Sequence, residues 1–439
     1  VKSIYICQQC GASSPRWEGR CPSCGSWNAL VETAVDKNFR ASSEATRPQP
    51  QKLTDLSPLD LRRFPSGIGE FDRCIGGGLV GGEVVLLSGE PGIGKSTLLL
   101  QVLKGFDSLS GPLLYVCGEE SPLQVKSRSQ RLNLQVDRLV LYPETRVEFL
   151  VEYLLAHPPA LVVVDSIQAV TTESLGGSAG SIGQVREAAY ILTQLAKNKN
   201  FPLIMVGHVT KEGGIAGPKV LEHLVDAVLN LEGSQPGSFR ILRATKNRFG
   251  SVREVGVFEM TTQGLIGVAN PSDRFLEERL IGVSGSVVTV LVEGLRPVLV
   301  EVQALTTPTA FGLPRRTASG FPINRLLLLI AVLEKRLGLK LQSQDIYVNI
   351  AAGLRADEPA VDLAVCLAIN SSLKDLPLDS KVAVFGEVGL SGEVRQVSLI
   401  DERSAEAKRL GYQNIISPKV ANTLKEAANM AFIEVRRAS

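Results

Sequence analysis

Residues 84–101 constrain this chain more than any other stretch. An apolar run, Val84-Val85-Leu86-Leu87, leads into Gly89-Glu90-Pro91-Gly92-Ile93-Gly94-Lys95-Ser96, which has the form G-x-x-x-x-G-K-S. Thr97-Leu98-Leu99-Leu100-Gln101 then reads as a helix. Strand, glycine loop and helix in that order make a phosphate cradle: the glycines free backbone N–H groups to wrap a polyphosphate, and the helix directs its partly positive N-terminus at the same charge. Gly89, Glu90, Pro91, Gly92, Ile93, Gly94, Lys95, Ser96 and Thr97 are therefore expected to line a nucleoside triphosphate. Lys95 would reach the β- and γ-phosphates, and the Ser96 hydroxyl would ligate Mg²⁺.

The chain is 439 residues long, which gives room for about three domains. A net charge of +2 neither demands nor excludes nucleic acid, because placement matters more than the sum. No apolar run approaches the ~20 residues that span a bilayer, and no signal-peptide core opens the sequence. The expectation is a cytoplasmic protein without a membrane partner. Seven cysteines fit that compartment once sorted. Cys7, Cys10, Cys21 and Cys24 form two C-x-x-C pairs, whereas Cys74, Cys117 and Cys366 are scattered among apolar segments. Paired thiols with an odd total indicate a metal site rather than a disulfide framework.

Residues 1–35 are accordingly read as a Cys₄ zinc module, with Cys7, Cys10, Cys21 and Cys24 closing a tetrahedral, structural site. So short a segment cannot fold on an apolar core alone. Trp17 and Trp27, the chain's two tryptophans, either cover the metal knuckles or offer a stacking surface for bases or a partner. Residues 36–52 are polar and proline-bearing and read as a linker.

Residues 53–270 read as an α/β domain with a mainly parallel sheet. Strand candidates at 84–87, 113–117, 161–164, 203–207, 227–231 and 239–244 alternate with helical segments, and ligands then belong at the strand C-termini. Lys95, Glu119-Glu120, Asp165-Ser166 and His208 follow the first four. Asp165 has the character of a Walker B aspartate for Mg²⁺. Either Glu119 or Glu120 would polarise the attacking water, with Glu119 nearer the strand end. His208 either senses the bound ligand or is structural. Two glycine-rich loops, 171–182 and 210–219, leave the same edge and look built to move. Local cations cluster at Lys126-Arg128-Arg131 and Arg240-Arg243-Lys246-Arg248, where a solvated face is the default reading.

These features carry a resemblance. Ser66-Gly67-Ile68-Gly69-Glu70-Phe71-Asp72, Gly76-Gly77-Gly78-Leu79, Gly81-Gly82-Glu83 and the P-loop look like the entry to a RecA-like ATPase core. With the Cys₄ module and Lys246-Asn247-Arg248-Phe249-Gly250, the whole chain resembles the bacterial RadA (Sms) family. The resemblance implies an ATP-, Mg²⁺- and Zn²⁺-dependent protein: a DNA-dependent ATPase of the helicase type. It further implies a homo-hexamer that translocates on single-stranded DNA and processes branched recombination intermediates with the RecA recombinase. Residues 271–439 are similar to the α/β proteolytic domain of Lon, but Ala360 and Asp401 stand where the nucleophilic serine and basic lysine belong. A Ser–Lys dyad needs an amine to take the hydroxyl proton, so the domain is read as a non-proteolytic, ring-forming scaffold with a surface for duplex DNA. A nucleotide-gated assembly ring and an ATP-dependent protease are the competing functions.

Lys246 and Arg248, two residues apart on an extended segment, are expected to share one face. Lys95 already serves the phosphates from within the core. The second cationic pair therefore suits a neighbouring subunit's nucleotide, as an arginine finger acts in trans, with a basic face on DNA or solvent as the alternative.

Overall fold

The computed structural model describes residues 2–7, 12–23, 25, 27–35, 62–107, 110–208, 218–233, 239–310 and 312–432. Two compact units emerge, Val1–Glu232 with Arg240–Gly267, and Gly233–Phe239 with Val268–Ser439.

The first unit begins with a small antiparallel sheet of β1 (Lys2–Cys7), β2 (Ser13–Ser14) and β3 (Leu30–Val35), with β1 in the middle. A nine-stranded sheet follows. Its strands are β4 (Val84–Gly89), β5 (Leu113–Cys117), β6 (Leu139–Tyr142), β7 (Leu161–Asp165), β8 (Leu203–His208), β9 (Ala227–Glu232), β10 (Phe239–Asn247), β11 (Val255–Thr261) and β12 (Gly264–Gly267). They lie in the order β12-β11-β10-β9-β4-β8-β7-β5-β6. From β9 to β6 every pairing is parallel, whereas β10 runs antiparallel to β9 and β12 antiparallel to β11.

Every residue of β4 is buried, because helices cover both faces of a parallel sheet. Val85 and Leu87 face one side and pack in a cluster with Leu98, Leu99, Val102 and Leu103 of the helix Lys95–Gly105. Val84 and Leu86 face the other, in a cluster with Val185, Ala188, Ala189 and Leu192 of the helix Ile182–Lys199. This two-sided burial makes the strands read as continuous apolar runs rather than alternating ones. The edge strand β6 is half-buried although it too is an apolar run, Leu139-Val140-Leu141-Tyr142, and it is absent from the sequence-based expectation, as are β11 and β12.

At the N-terminal edge of β4, Asp226 ties several elements together. Its carboxylate accepts the Val84 amide at 3.1 Å and the Lys197 ammonium at 2.9 Å. Glu83 is fully buried beside it and accepts the Val80 amide at 2.8 Å.

The second unit holds a six-stranded mixed sheet of β13 (Ser286–Glu293), β14 (Arg296–Pro308), β15 (Arg316–Ser319), β16 (Gln344–Ile350), β17 (Val382–Val384) and β18 (Asn414–Ile416). Ala360 is buried just before the helix Asp362–Lys374. Asp401 lies on the helix Ile400–Arg409, is 81% exposed at its side chain, and pairs with Lys419. The two segments are joined instead by Arg403, fully buried, which donates to Glu358 at 2.9 Å and to Ser398 O at 2.8 Å. An ion pair thus links the segment before Ala360 to the helix that carries Asp401. Among the described residues, no helix is long and apolar enough to cross a membrane.

Burial, reinforced by the Asp226 charge and opposed by the Val80 amide, pushes the Glu83 carboxyl up from 4.5 to about 7. A raised folded-state pKa contributes stability that is full below about pH 4.5 and is lost as pH rises through 7. Glu83→Gln should therefore flatten the pH dependence of stability across that window, as measured by urea denaturation at intervals from pH 4.5 to 8.

Candidate functional site

The parallel strands deliver their C-terminal ends side by side. β4 ends at Gly89, β8 at His208, β7 at Asp165, and β5 at Cys117 just before Glu119, and these four are neighbours in the order β4-β8-β7-β5. In the loop, Gly89 has a φ of +155° and a Cβ there would stand 2.6 Å from Leu231 O, so no larger residue fits. Lys95 is buried, and its ammonium donates to Gly89 O at 2.9 Å and Glu90 O at 3.0 Å. Those bonds hold the charge inside the curve of the loop. Burial lowers the Lys95 pKa, and the charges of Asp165 and Glu119 oppose the shift.

Asp165 is buried at the end of β7 and accepts a hydrogen bond from the Tyr115 hydroxyl of β5. Burial, and then the Asp165 charge, push the Tyr115 phenol well above its ordinary value, so it remains a donor. Glu119 accepts from the Ser166 hydroxyl and lies 3.2 Å from His208 Nε2. The His208 bond, helped by that of Ser166, holds the Glu119 carboxyl below the usual range against the effect of burial. An ionised carboxylate thus stands beside Lys95 and Asp165. Glu120 turns elsewhere, into a two-pronged pair with Arg128 at 2.6 Å for each bond. Arg128 is therefore not a solvated cation, contrary to the default reading of its cluster.

Tyr115 and Arg240 were not singled out as site residues by the sequence. Tyr115 was legible only as the one polar group inside Leu-Leu-Tyr-Val-Cys. Arg240 belonged to a cluster read as a solvated face, but the alternation of β10 buries it, and its Nε donates to Ile93 O of the P-loop at 3.2 Å. Burial lowers its pKa. The loop at 171–182 is also more tethered than its glycines suggest. Buried Gln184 accepts from the Thr172 amide at 2.7 Å and donates to Thr172 O at 3.1 Å. Residues 209–217 of the second glycine-rich loop lie outside the described residues.

Lys246 and Arg248 are far from Gly89. Lys246 pairs with Val228, which is level with Leu86 in β4. The Lys246 ammonium turns further back, donating to Glu222 O at 2.7 Å and Val225 O at 2.8 Å. β10 ends at Asn247 and is bulged between the Val228 and Leu229 pairings. Arg248 therefore sits in the following turn rather than on a shared strand face, a correction to the extended geometry expected for the pair. Its amide bonds Asp226 O at 3.1 Å and its guanidinium reaches the Asp226 carboxylate at 3.4 Å, with 58% of the side chain exposed. The pair thus occupies the edge of the sheet opposite its own P-loop.

In the N-terminal sheet, Cys7 and Cys21 are buried against Ala29 and Leu30, with Tyr5 and Ala12 packed beside them. Gly25, at φ +75°, turns its amide onto Cys21 O at 2.9 Å, which is the tight knuckle a C-x-x-C-G segment requires. Cys10 and Cys24 lie outside the described residues. Two buried thiols on adjacent turns are the donor chemistry of a zinc site. Ser96 and Asp165 are oxygen donors of the kind that suits Mg²⁺.

Family models match three stretches: a rubredoxin metal binding domain at residues 5–32, an AAA domain at 47–214, and subunit ChlI of Mg-chelatase at 328–421. The DNA repair protein RadA of Bacillus subtilis (strain 168) is 50% identical over 424 residues, covering 95% of this chain and 93% of that protein. The chain belongs to the RadA family. RadA of Streptococcus pyogenes serotype M1 is 48% identical, covering 96% and 93% of the two chains, and RadA of Listeria monocytogenes is 48% identical, covering 94% and 92%. Among solved structures, a KaiC-like protein of Pyrococcus horikoshii matches at 22% identity and a TM-score of 0.39, over 47% of this chain and 99% of that one. This RadA-family chain thus joins a zinc ribbon module to an ATP-binding AAA domain.

Protein purified without chelators should carry about one zinc per chain by metal analysis and lose the N-terminal fold when chelated, since closing a Cys₄ site supplies a small module's folding energy. At the P-loop, Lys95→Ala should abolish ATP turnover. Asp165→Asn should reduce Mg²⁺-dependent turnover much more than nucleotide binding, as separate hydrolysis and binding titrations would measure.

Proposed function

We propose that this protein is a DNA-dependent ATPase of the helicase type, a motor for single-stranded and branched DNA in recombinational repair. In this reading Gly89–Thr97 cradle the ATP phosphates, and Lys95 neutralises their charge. Ser96 and Asp165 would hold Mg²⁺, which would supply positive charge to offset that of the phosphates. Glu119 orients the attacking water, because it is ionised, faces Lys95, and is fixed by Ser166 and His208. Glu120 is occupied by Arg128 and serves as its structural neighbour. Cys7, Cys10, Cys21 and Cys24 hold a structural zinc.

The observation that carries the motor reading is the position of Lys246 and Arg248. They lie at the opposite strand ends from their own P-loop, so any phosphate they serve belongs to another subunit. A finger supplied in trans makes each hydrolysis event depend on the neighbour's position, which is what a translocating ring requires. The DNA substrate is supported by the name its relatives carry, DNA repair protein, and by two glycine-rich loops that follow strands of the nucleotide edge. A homo-hexamer, the RecA recombinase as partner, and a scaffold role for the C-terminal unit complete the proposal. A protease reading is disfavoured by the buried Ala360 and by Asp401, which has no amine to offer.

Lys246→Ala and Arg248→Ala should keep the fold and most DNA affinity, yet lose DNA-stimulated ATPase by about a hundredfold or more. Mixing Arg248→Ala with Lys95→Ala protein should restore some turnover, because mixed interfaces pair an intact P-loop with an intact finger. Normal ATPase with lost DNA binding would instead make this a DNA-contact strand, and ATP turnover indifferent to single-stranded DNA would leave a nucleotide-gated assembly ring.

A further inference from the structure

Trp17 and Trp27 are 55% and 73% exposed. The described residues packed around Cys7 and Cys21 are Tyr5, Ala12, Ala29 and Leu30, and the indoles do not pack into that cluster. They do converge: a Cβ on Gly19 would stand 3.7 Å from Trp17 Cη2 and 3.9 Å from Trp27 Cζ3, so the glycine forms a bare floor that both rings reach.

Cations flank this pair. Arg20 forms an antiparallel bridge with Trp27, and its guanidinium lies over the indole at 5.8 Å from the ring centroid. The Arg20 Nε is steadied by Gly25 O at 2.9 Å. Arg16, with 82% of its side chain exposed, pairs with Glu18 at 3.4 Å, an exposed ion pair of a kind that contributes little and yields readily to a phosphate.

We propose that Trp17, Trp27, Arg16 and Arg20 form a stacking platform for the unpaired bases of single-stranded DNA. Every base has a π-face, so two exposed indoles bind without regard to sequence, and interleaved guanidiniums take the backbone phosphates. An apolar protein partner would not call for an exposed arginine over one ring and a second next to the other in sequence. The inference goes beyond the motor reading, which assigns DNA to glycine-rich loops of the ATPase domain, and shares with it only the ligand. A strand held by the ribbon is gripped independently of the nucleotide state.

The two indoles are the chain's only tryptophans, so intrinsic emission reports this surface alone. Full-length protein is titrated with labelled oligothymidylate without ATP, following label anisotropy and tryptophan emission together. Emission should be quenched in step with anisotropy, and Trp17→Phe and Trp27→Phe proteins, each with one indole left, should both remain quenchable. Trp17→Ala with Trp27→Ala should weaken binding about tenfold or more while zinc content stays unchanged. If that double variant loses zinc, the two phenylalanine variants decide. DNA bound with emission unmoved would overturn the platform, leave the motor reading intact, and give the ribbon face to a protein partner. Absence of DNA binding without ATP would overturn the platform alone, and absence with ATP present as well would overturn both.

Discussion

Burial of the central strands on both faces is the constraint from which the rest of the ATPase domain follows. With helices packed on each side of β4, β5, β7 and β8, the strands hold few polar side chains, since an unpaired polar group there would be left without partners. Chemistry is displaced to the strand ends. Because these strands are parallel, four such ends emerge at one edge, and Lys95, Glu119, Asp165 and His208 meet there although they are spread over more than a hundred positions. The antiparallel turn of β10 then carries Lys246 and Arg248 to the opposite edge, and this separation gives the chain a front and a back.

The charges at the front are mutually dependent. Lys95 loses solvation on burial and regains stabilisation from Asp165 and Glu119. Glu119 is kept ionised by His208 and Ser166, and Asp165 is oriented by a phenol that burial keeps protonated. Such a network fixes the charges at this edge through the chain's own hydrogen bonds, the arrangement electrostatic preorganisation requires. Arg240 extends it to the loop itself through Ile93 O. At the back, Asp226 plays the corresponding part, because one buried carboxylate receives Lys197, Arg248 and the first amide of β4.

The C-terminal unit is tied together by a buried charge of its own. The segment before Ala360 is joined to the helix Ile400–Arg409 by the Glu358–Arg403 pair, whose arginine is fully buried and further tied to the Val290 and Ser398 carbonyls. Removing one partner of such a pair leaves an uncompensated buried charge, so the two segments depend on each other.

The sequence by itself determined the P-loop, the order of the buried strands, the Cys₄ spacing and the family, because each is written in consecutive residues whose local chemistry has one sensible structural use. A run such as Leu161-Val162-Val163-Val164 before an aspartate states both a buried strand and the polar group at its end. The edge strand β6, Leu139-Val140-Leu141-Tyr142, was not legible, since periodicity alone does not tell so short an apolar run from a buried helical segment. Nor was the division of labour between Glu119 and Glu120: adjacent glutamates look alike until Ser166, His208 and Arg128 are brought to them from distant segments. Only the tertiary structure decided that Arg240 is buried against the P-loop, that Lys246 and Arg248 face away from it, and that Trp17 and Trp27 stand exposed around Gly19. These are facts of through-space proximity and solvent exclusion, which depend on how strands pair and which face a helix covers, and no local stretch of sequence contains them.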